Sequence, residues 1–170
     1  LATAEQVAMS KACSQLWMNL RAVGDPEPRV DRSRIKGLIL AQTTMDPAEA
    51  IHKLREHMAA EPRRYESLYR VLPVQAWTAS TPDDIVEALT KMRERVSPDE
   101  SFRVTLEKRR TRLSSHEIIE PVAELFDRRV DLENPDWLVL VEVMGDRTGV
   151  SVVRLMDVLN VQKERAKSPA

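Results

Sequence analysis

Between Phe102 and His116 the chain gathers five basic residues, Arg103, Lys108, Arg109, Arg110 and Arg112, against one acid, Glu107, a local charge of +4. Across the whole sequence arginine outnumbers lysine 19 to 7. The planar guanidinium fork matches phosphate in two-point contact and stacks on aromatic rings, whereas the lysine ammonium acts as a point charge. The run KRRTR is therefore a candidate phosphate-contact edge. A blander reading also exists, in which the charges only solvate the end of a strand. Arg103 favours a surface stripe, because alternation puts it on the polar face, away from Phe102, Val104 and Leu106. Charge bookkeeping adds Arg147 and Arg154 from the last strands, and Arg34 and Lys36 beside a strand of the first half.

Catalytic constellations are missing. The four glycines (Gly24, Gly37, Gly145, Gly149) are spread too widely for a phosphate-cradling loop. His52 and His57 stand five apart, on different faces of a helix, and read as solvated residues rather than metal ligands. Cys13, the one cysteine, lies on an apolar helix face beside Leu16 and Trp17 and reads as a small buried hydrophobe. His116 follows Ser114 and Ser115 in a helix-capping pattern, which accounts for that Ser-His neighbourhood better than a catalytic dyad does. The expectation is a non-enzyme with no metal and no cofactor.

These residues sit in a chain of 170 residues with a net charge of -1, 42% hydrophobic and 31% charged. That composition is of the ordinary globular kind and excludes a mostly disordered chain. No apolar run approaches the ~20 residues of a membrane span. The near-zero total hides a segregation of charge. Glu117–Asp146 sums to -7, Arg147–Ala170 to +3, and Arg34–Val74 to +2. Glu117, Glu120 and Glu124 lie near a helix N-terminus, where negative charge is favoured. The acidic stretch as a whole could also dock a basic partner enzyme.

The elements that must position these side chains follow from periodicity and punctuation. Helical spacing runs from Glu5 to about Ala22 and stops at Gly24-Asp25-Pro26, with PEPRVDRS as a loop. Leu1–Ala4 reads as the tail of a strand, Ile35–Thr44 as a buried strand, and Asp46-Pro47 as the cap and first residue of a helix. Leu68–Trp77 reads as one strand, with Pro73 at an edge or bulge. This is most of a βαββαβ, ferredoxin-like unit. Further on, Thr81 caps a helix to about Arg95, and Phe102–Leu106 alternate as a strand. Ser114–Glu117 form a capping box for a helix that holds Pro121 poorly. WLVLVEVMG and VSVVRLM are strands joined by Asp146–Gly149, and a last helix begins near Met156. The fold class expected is α/β (α+β), with residues 1–80 and 81–165 as two domains and 166–170 as a polar tail.

The stretch SFRVTLEKRRTRLSSHEIIEPVAELFDRRVDLENPDWLVLVEVMGDRTGVSVV resembles a THUMP domain. The likeness lies in the order of its pieces: FRV, basic residues, a capped helix, VDLENPDWLVLVEV and GVSVV. GLILAQTTMDPAEAIHKLRE and YRVLPVQ resemble the ferredoxin-like domain that accompanies THUMP domains. The resemblance implies an N-terminal ferredoxin-like domain packed against a THUMP domain. Within the family, LATAEQ, TTMDPAEAIHKLRE, RVLPV and DESFRVTLEKR are similar to stand-alone adaptors of tRNA cytidine acetylation. That likeness implies a monomeric, cytoplasmic (nuclear or nucleolar in a eukaryote) protein. It would grip the acceptor end of tRNA and present it to a separate N4-cytidine acetyltransferase. The end of the chain soon after Val161 carries the expectation of no catalytic domain. The basic residues after FRV are the RNA contacts that the family pattern supports best.

Overall fold

The computed structural model describes residues 1–167, so Ser168–Ala170 of the predicted tail lie outside the described residues. The chain divides into two compact units, Leu1–Pro73 with the chain from Met156 onward, and Val74–Leu155. The sequence placed its boundary between residues 80 and 81.

The first unit begins with β1 (Ala2–Ala4), α1 (Met9–Ala22), β2 (Arg29–Arg32), β3 (Leu38–Gln42), α2 (Pro47–Ala60) and β4 (Leu68–Val71). These strands pair antiparallel in the order β4-β1-β3-β2, which is the ferredoxin-like arrangement. β2 lies within the segment expected to be loop. It is a four-residue edge strand whose Arg29, Asp31 and Arg32 are exposed, with only Val30 turned partly inward. Charge on an edge strand blocks pairing with another chain and also erases the apolar signal that reveals strands in sequence.

α1 buries Ala12, Leu16 and Leu20, and α2 buries Ala50, Ile51, Leu54 and Met58. The i, i+4 spacing puts each set on one stripe facing the sheet residues Ala2, Ile39 and Leu68. Asp46 caps α2 by accepting the Glu49 N–H at 3.1 Å, with Pro47 at the first helical position. Cys13 is half-buried against the core rather than enclosed in it.

After α1, the buried carboxylate of Asp25 ties two loops together. It accepts the Glu27 N–H at 3.0 Å, the Thr44 N–H at 3.2 Å and the Thr44 hydroxyl at 3.3 Å. Burial pushes this carboxyl up, but hydrogen bonds from Thr43, Glu27 and Thr44 outweigh it and hold it below its ordinary value. A depressed native pKa means stability that is present above the unfolded value, about 3.9, and is lost as pH falls through the native one. The urea midpoint of the protein is therefore expected to fall below about pH 4. Asp25→Asn should flatten that part of the acid limb while lowering stability at pH 7. An unchanged acid limb in the variant would show that Asp25 does not contribute.

The second unit runs β5 (Ala76–Ala79), α3 (Pro82–Thr90), β6 (Ser101–Arg109), α4 (Ser115–Phe126), β7 (Arg129–Val130), β8 (Trp137–Met144) and β9 (Arg147–Val153). The sheet order is β5-β9-β8-β6-β7, with β6 parallel to both β7 and β8 and the remaining pairs antiparallel. Leu68–Trp77 thus becomes two strands in two different sheets, β4 and β5. Pro73 lies in the break, where its missing N–H could not serve a ladder.

Alternation decides the core of this unit. Phe102 from β6, Val139, Val141 and Val143 from β8, and Val150 and Val152 from β9 meet Ile85 and Leu89 of α3 and Ile118, Val122 and Phe126 of α4. The Ser114–Glu117 capping box is present, and Pro121 falls inside α4, where the Glu117 carbonyl loses its helical donor.

Beyond β9 the expected last helix gives way to a 3-10 turn (Leu155–Asp157), a strand β10 (Leu159–Asn160) and a short helix α5 (Val161–Arg165). β10 pairs with β4 and extends the first unit's sheet. Arg55 holds this segment by donating to the Met156 carbonyl at 2.6 Å, the Val158 carbonyl at 2.7 Å and Glu164 at 2.7 Å. Leu159 and Val161 are buried in the first core, so contacts distant in sequence overrule the local helical pattern.

Candidate nucleic-acid interface

One end of the second unit's sheet collects most of the basic residues picked out in the sequence. In register, Arg109 of β6 stands opposite Met144 of β8, Met144 opposite Arg147 of β9, and Arg147 opposite Ala79 of β5. That row marks the carboxyl ends of β5, β6 and β8 and the start of β9. Ser80 closes it by donating its N–H to the Asp146 carbonyl at 3.0 Å and sharing a 2.7 Å hydroxyl contact with Thr148. Ligands of open α/β sheets characteristically sit beyond such strand ends.

The chain leaves β6 through Arg110, whose φ of 52° lies in the left-handed region. A side chain there costs backbone energy that glycine would not. Lys108 donates to the Leu113 carbonyl at 3.1 Å, bracing the loop that carries Arg110 and Arg112. Both arginines are exposed, with no hydrogen-bond or ion-pair partner among the described residues. The helix starts nearby are already satisfied. Thr81 accepts the Asp84 N–H at 3.1 Å with Asp83 and Asp84 in the first turn of α3, and Glu117 completes the box at α4. Unmatched positive charge at this end therefore comes from side chains.

The other predicted residues have different surroundings. Arg109 donates to Glu142 at 2.8 Å, and that carboxylate side chain is 2% exposed. Arg103 donates to the Leu132 carbonyl at 2.9 Å, anchoring the loop after β7. Arg154 is held at the opposite end of the sheet. It pairs with Glu100 at 2.9 Å, donates to the Asp136 carbonyl at 3.1 Å and lies 3.6 Å from the Trp137 ring centre. The nearby Trp137 indole N–H first, then Arg154 and the Ser97 N–H, hold the Glu100 carboxyl down to about 2. Arg147 is exposed, with its guanidinium 5.1 Å from the centre of the Trp77 ring. Arg34 and Lys36 are exposed in the β2–β3 turn of the first unit.

Two residues at this site carried no signal in the sequence reading. Glu142 sits inside a valine-rich strand, and its partner lies on β6, 33 positions earlier. Trp77 meets Arg147 only because β5 pairs with β9. Both relationships exist only once the sheet has formed.

His52 faces Asp157 at 2.6 Å and His57 faces the Tyr65 hydroxyl at 2.9 Å. Among the described residues no group of three His, Cys, Asp or Glu side chains is placed to hold a metal ion. No helix among them is long and apolar enough to cross a membrane.

Residues 79–153 match the family model of the THUMP domain. The chain is similar in structure to PH1313 from Pyrococcus horikoshii Ot3, with a TM-score of 0.64 and 17% identity over 90% of this chain and 54% of that one. It is also similar to TrmN from Thermus thermophilus, with a TM-score of 0.58 and 20% identity over 89% of this chain and 43% of that one. At such identities the likeness is one of fold, and the chain spans about half the length of these two proteins. No curated protein sequence matches it. The matched segment coincides with the second unit, from the last residue of β5 to the end of β9, so the chain carries a THUMP domain over residues 79–153.

Proposed function

We propose that this protein binds tRNA through the THUMP domain's basic strand ends and, without catalysing a reaction itself, presents it to a separate modifying enzyme. The observation that carries this reading is the exposed, unmatched pair Arg110 and Arg112, braced by Lys108, at the carboxyl end of β6. An arginine in a left-handed position where the backbone favours glycine supports a role for its side chain. A compact basic surface suits A-form RNA, whose phosphates and shallow minor groove are recognised by shape more than by sequence. In this reading Lys108, Arg110, Arg112 and Arg147 contact phosphate. Arg109 and Arg154 hold the domain together, and Arg34 and Lys36 are secondary contacts from the first unit. The resemblance of the N-terminal runs to cytidine-acetylation adaptors makes an N4-cytidine acetyltransferase the partner of choice, and the acceptor end the part of tRNA that is held.

The test is a tRNA gel shift across a salt series. Log affinity should fall linearly with log salt, with a slope near one per phosphate contact. A salt-independent shift would count against phosphate recognition. A second reading has its own observation. Val130 is 53% and Leu132 69% exposed, close to the acids Asp127, Asp131 and Glu133. This edge has the chemistry to dock a basic partner protein, and no tRNA shift even at low salt would favour it.

A further inference from the structure

The second unit contains two arginine-on-tryptophan pairs, and they are not equivalent. Arg154 on Trp137 is closed: the guanidinium is 3.6 Å from the ring centre and its charge is matched by Glu100. Arg147 on Trp77 is open. Here the guanidinium stands 5.1 Å from the ring centre, and no carboxylate pairs with it among the described residues. Trp77 is 37% exposed.

Gly149, directly across the ladder from Trp77, explains why the ring lies down on β9. A Cβ at Gly149 would come within 3.3 Å of Trp77 Cζ3 and 2.9 Å of Val74 Cγ1. The missing side chain makes room for the indole against β9, with the Arg147 guanidinium over the ring. Arg147 belongs to the row of strand ends that includes Arg109, so the indole lies two to three strand spacings, about 10–15 Å, from the end of β6. The one acid adjacent in sequence, Asp146, is itself exposed.

We infer that Trp77 and Arg147 form a stacking platform for an unpaired nucleobase of the RNA whose backbone lies on Lys108, Arg110 and Arg112. This rests on the RNA-binding reading above and assigns a base-recognising residue to it. An exposed tryptophan accepts any base, because every base has a π face, and the unmatched guanidinium over its ring offers a second stacking plane and a donor for the adjoining phosphate.

The experiment uses the full chain, a short single-stranded RNA oligomer, and the same oligomer made abasic. Trp77→Leu should weaken the intact oligomer roughly ten- to hundredfold and leave the abasic one, already weak on the native protein, unchanged. Trp77→Phe should keep most of the affinity while abolishing the quench of tryptophan fluorescence that the intact oligomer causes in the native protein. This second arm decides the matter if the leucine variant folds poorly. If both variants bind like the native protein and the quench survives in Trp77→Phe, the platform is overturned while the RNA-binding reading stands. Equal losses on intact and abasic oligomers would overturn it too. Absence of binding by the native protein to either the oligomer or whole tRNA overturns both.

Discussion

Reversing Lys108, Arg110 and Arg112 together to glutamate is expected to lower tRNA affinity about a hundredfold or more near 0.1 M salt, with the salt slope reduced by about 2–3. Each substitution removes a cation and adds an anion within the same loop, so repulsion of phosphate compounds the lost contact. The fold should survive. Among the described residues Arg110 and Arg112 have no hydrogen-bond or ion-pair partner, and Lys108 contributes only its bond to the Leu113 carbonyl. Arg109 is left in place deliberately, since it faces a buried carboxylate. Gel shift gives the affinity, and an unchanged thermal melt confirms that a structured protein was assayed. Native-like affinity in the folded triple variant would remove the strand-end loop from the interface.

Arg109→Met should act in the opposite sense, damaging the fold rather than the RNA contact. It takes the guanidinium away from Glu142, whose side chain is 2% exposed, and leaves negative charge in a desolvated position. Removing one member of a buried ion pair costs about 3–5 kcal/mol. For a protein whose whole stability is on the order of 5–15 kcal/mol, that is a large fraction. Arg109 retains some contact with water, which places the expected loss toward the lower end. Replacing both members, Arg109→Met with Glu142→Leu, should recover most of it, because an apolar pair of similar volume is often neutral or better. Urea unfolding of the native protein, the two single variants and the double variant closes the cycle. A single-variant loss under about 1 kcal/mol would show that the pair behaves like an exposed one. Binding of tRNA by the surviving folded fraction should be nearly native.

The two experiments separate residues that look alike in sequence. Lys108, Arg109 and Arg110 are consecutive and basic, yet β6 and its pairing with β8 send them to different fates. Alternation along the strand turns Arg109 across the sheet toward Glu142. Lys108 braces the loop, and the left-handed turn at Arg110 carries the chain off the sheet. Charge counting sees a single run. The structure divides it into a brace, a buried partner and a surface cation.

Much was legible from local chemistry. The caps at Asp46, Thr81 and Ser114, the helical stripes of α1 and α2, the alternating β6 and the valine-rich β8 and β9 follow from short-range rules of helix and strand formation. Those rules led to an α/β fold and to the basic end of β6, while the THUMP resemblance rests on the order of the sequence pieces from FRV to GVSVV. β2 was hidden because a charged edge strand buries almost nothing. The end of the chain was misread because β10 and α5 are selected by Arg55 and by the first core, contacts about 100 residues distant.

What the sequence determined by itself was therefore the kind of elements and where the charge is concentrated, since propensity, capping and alternation act over a few residues. Only the tertiary structure decided which charges remain available. Pairing between strands far apart in the chain matched Arg109 with Glu142, closed Arg154 against Glu100 and Trp137, and set Arg147 beside an open Trp77. An ion pair or a stacking surface is a property of distance in space, and burial of Glu142 makes that distance energetically decisive.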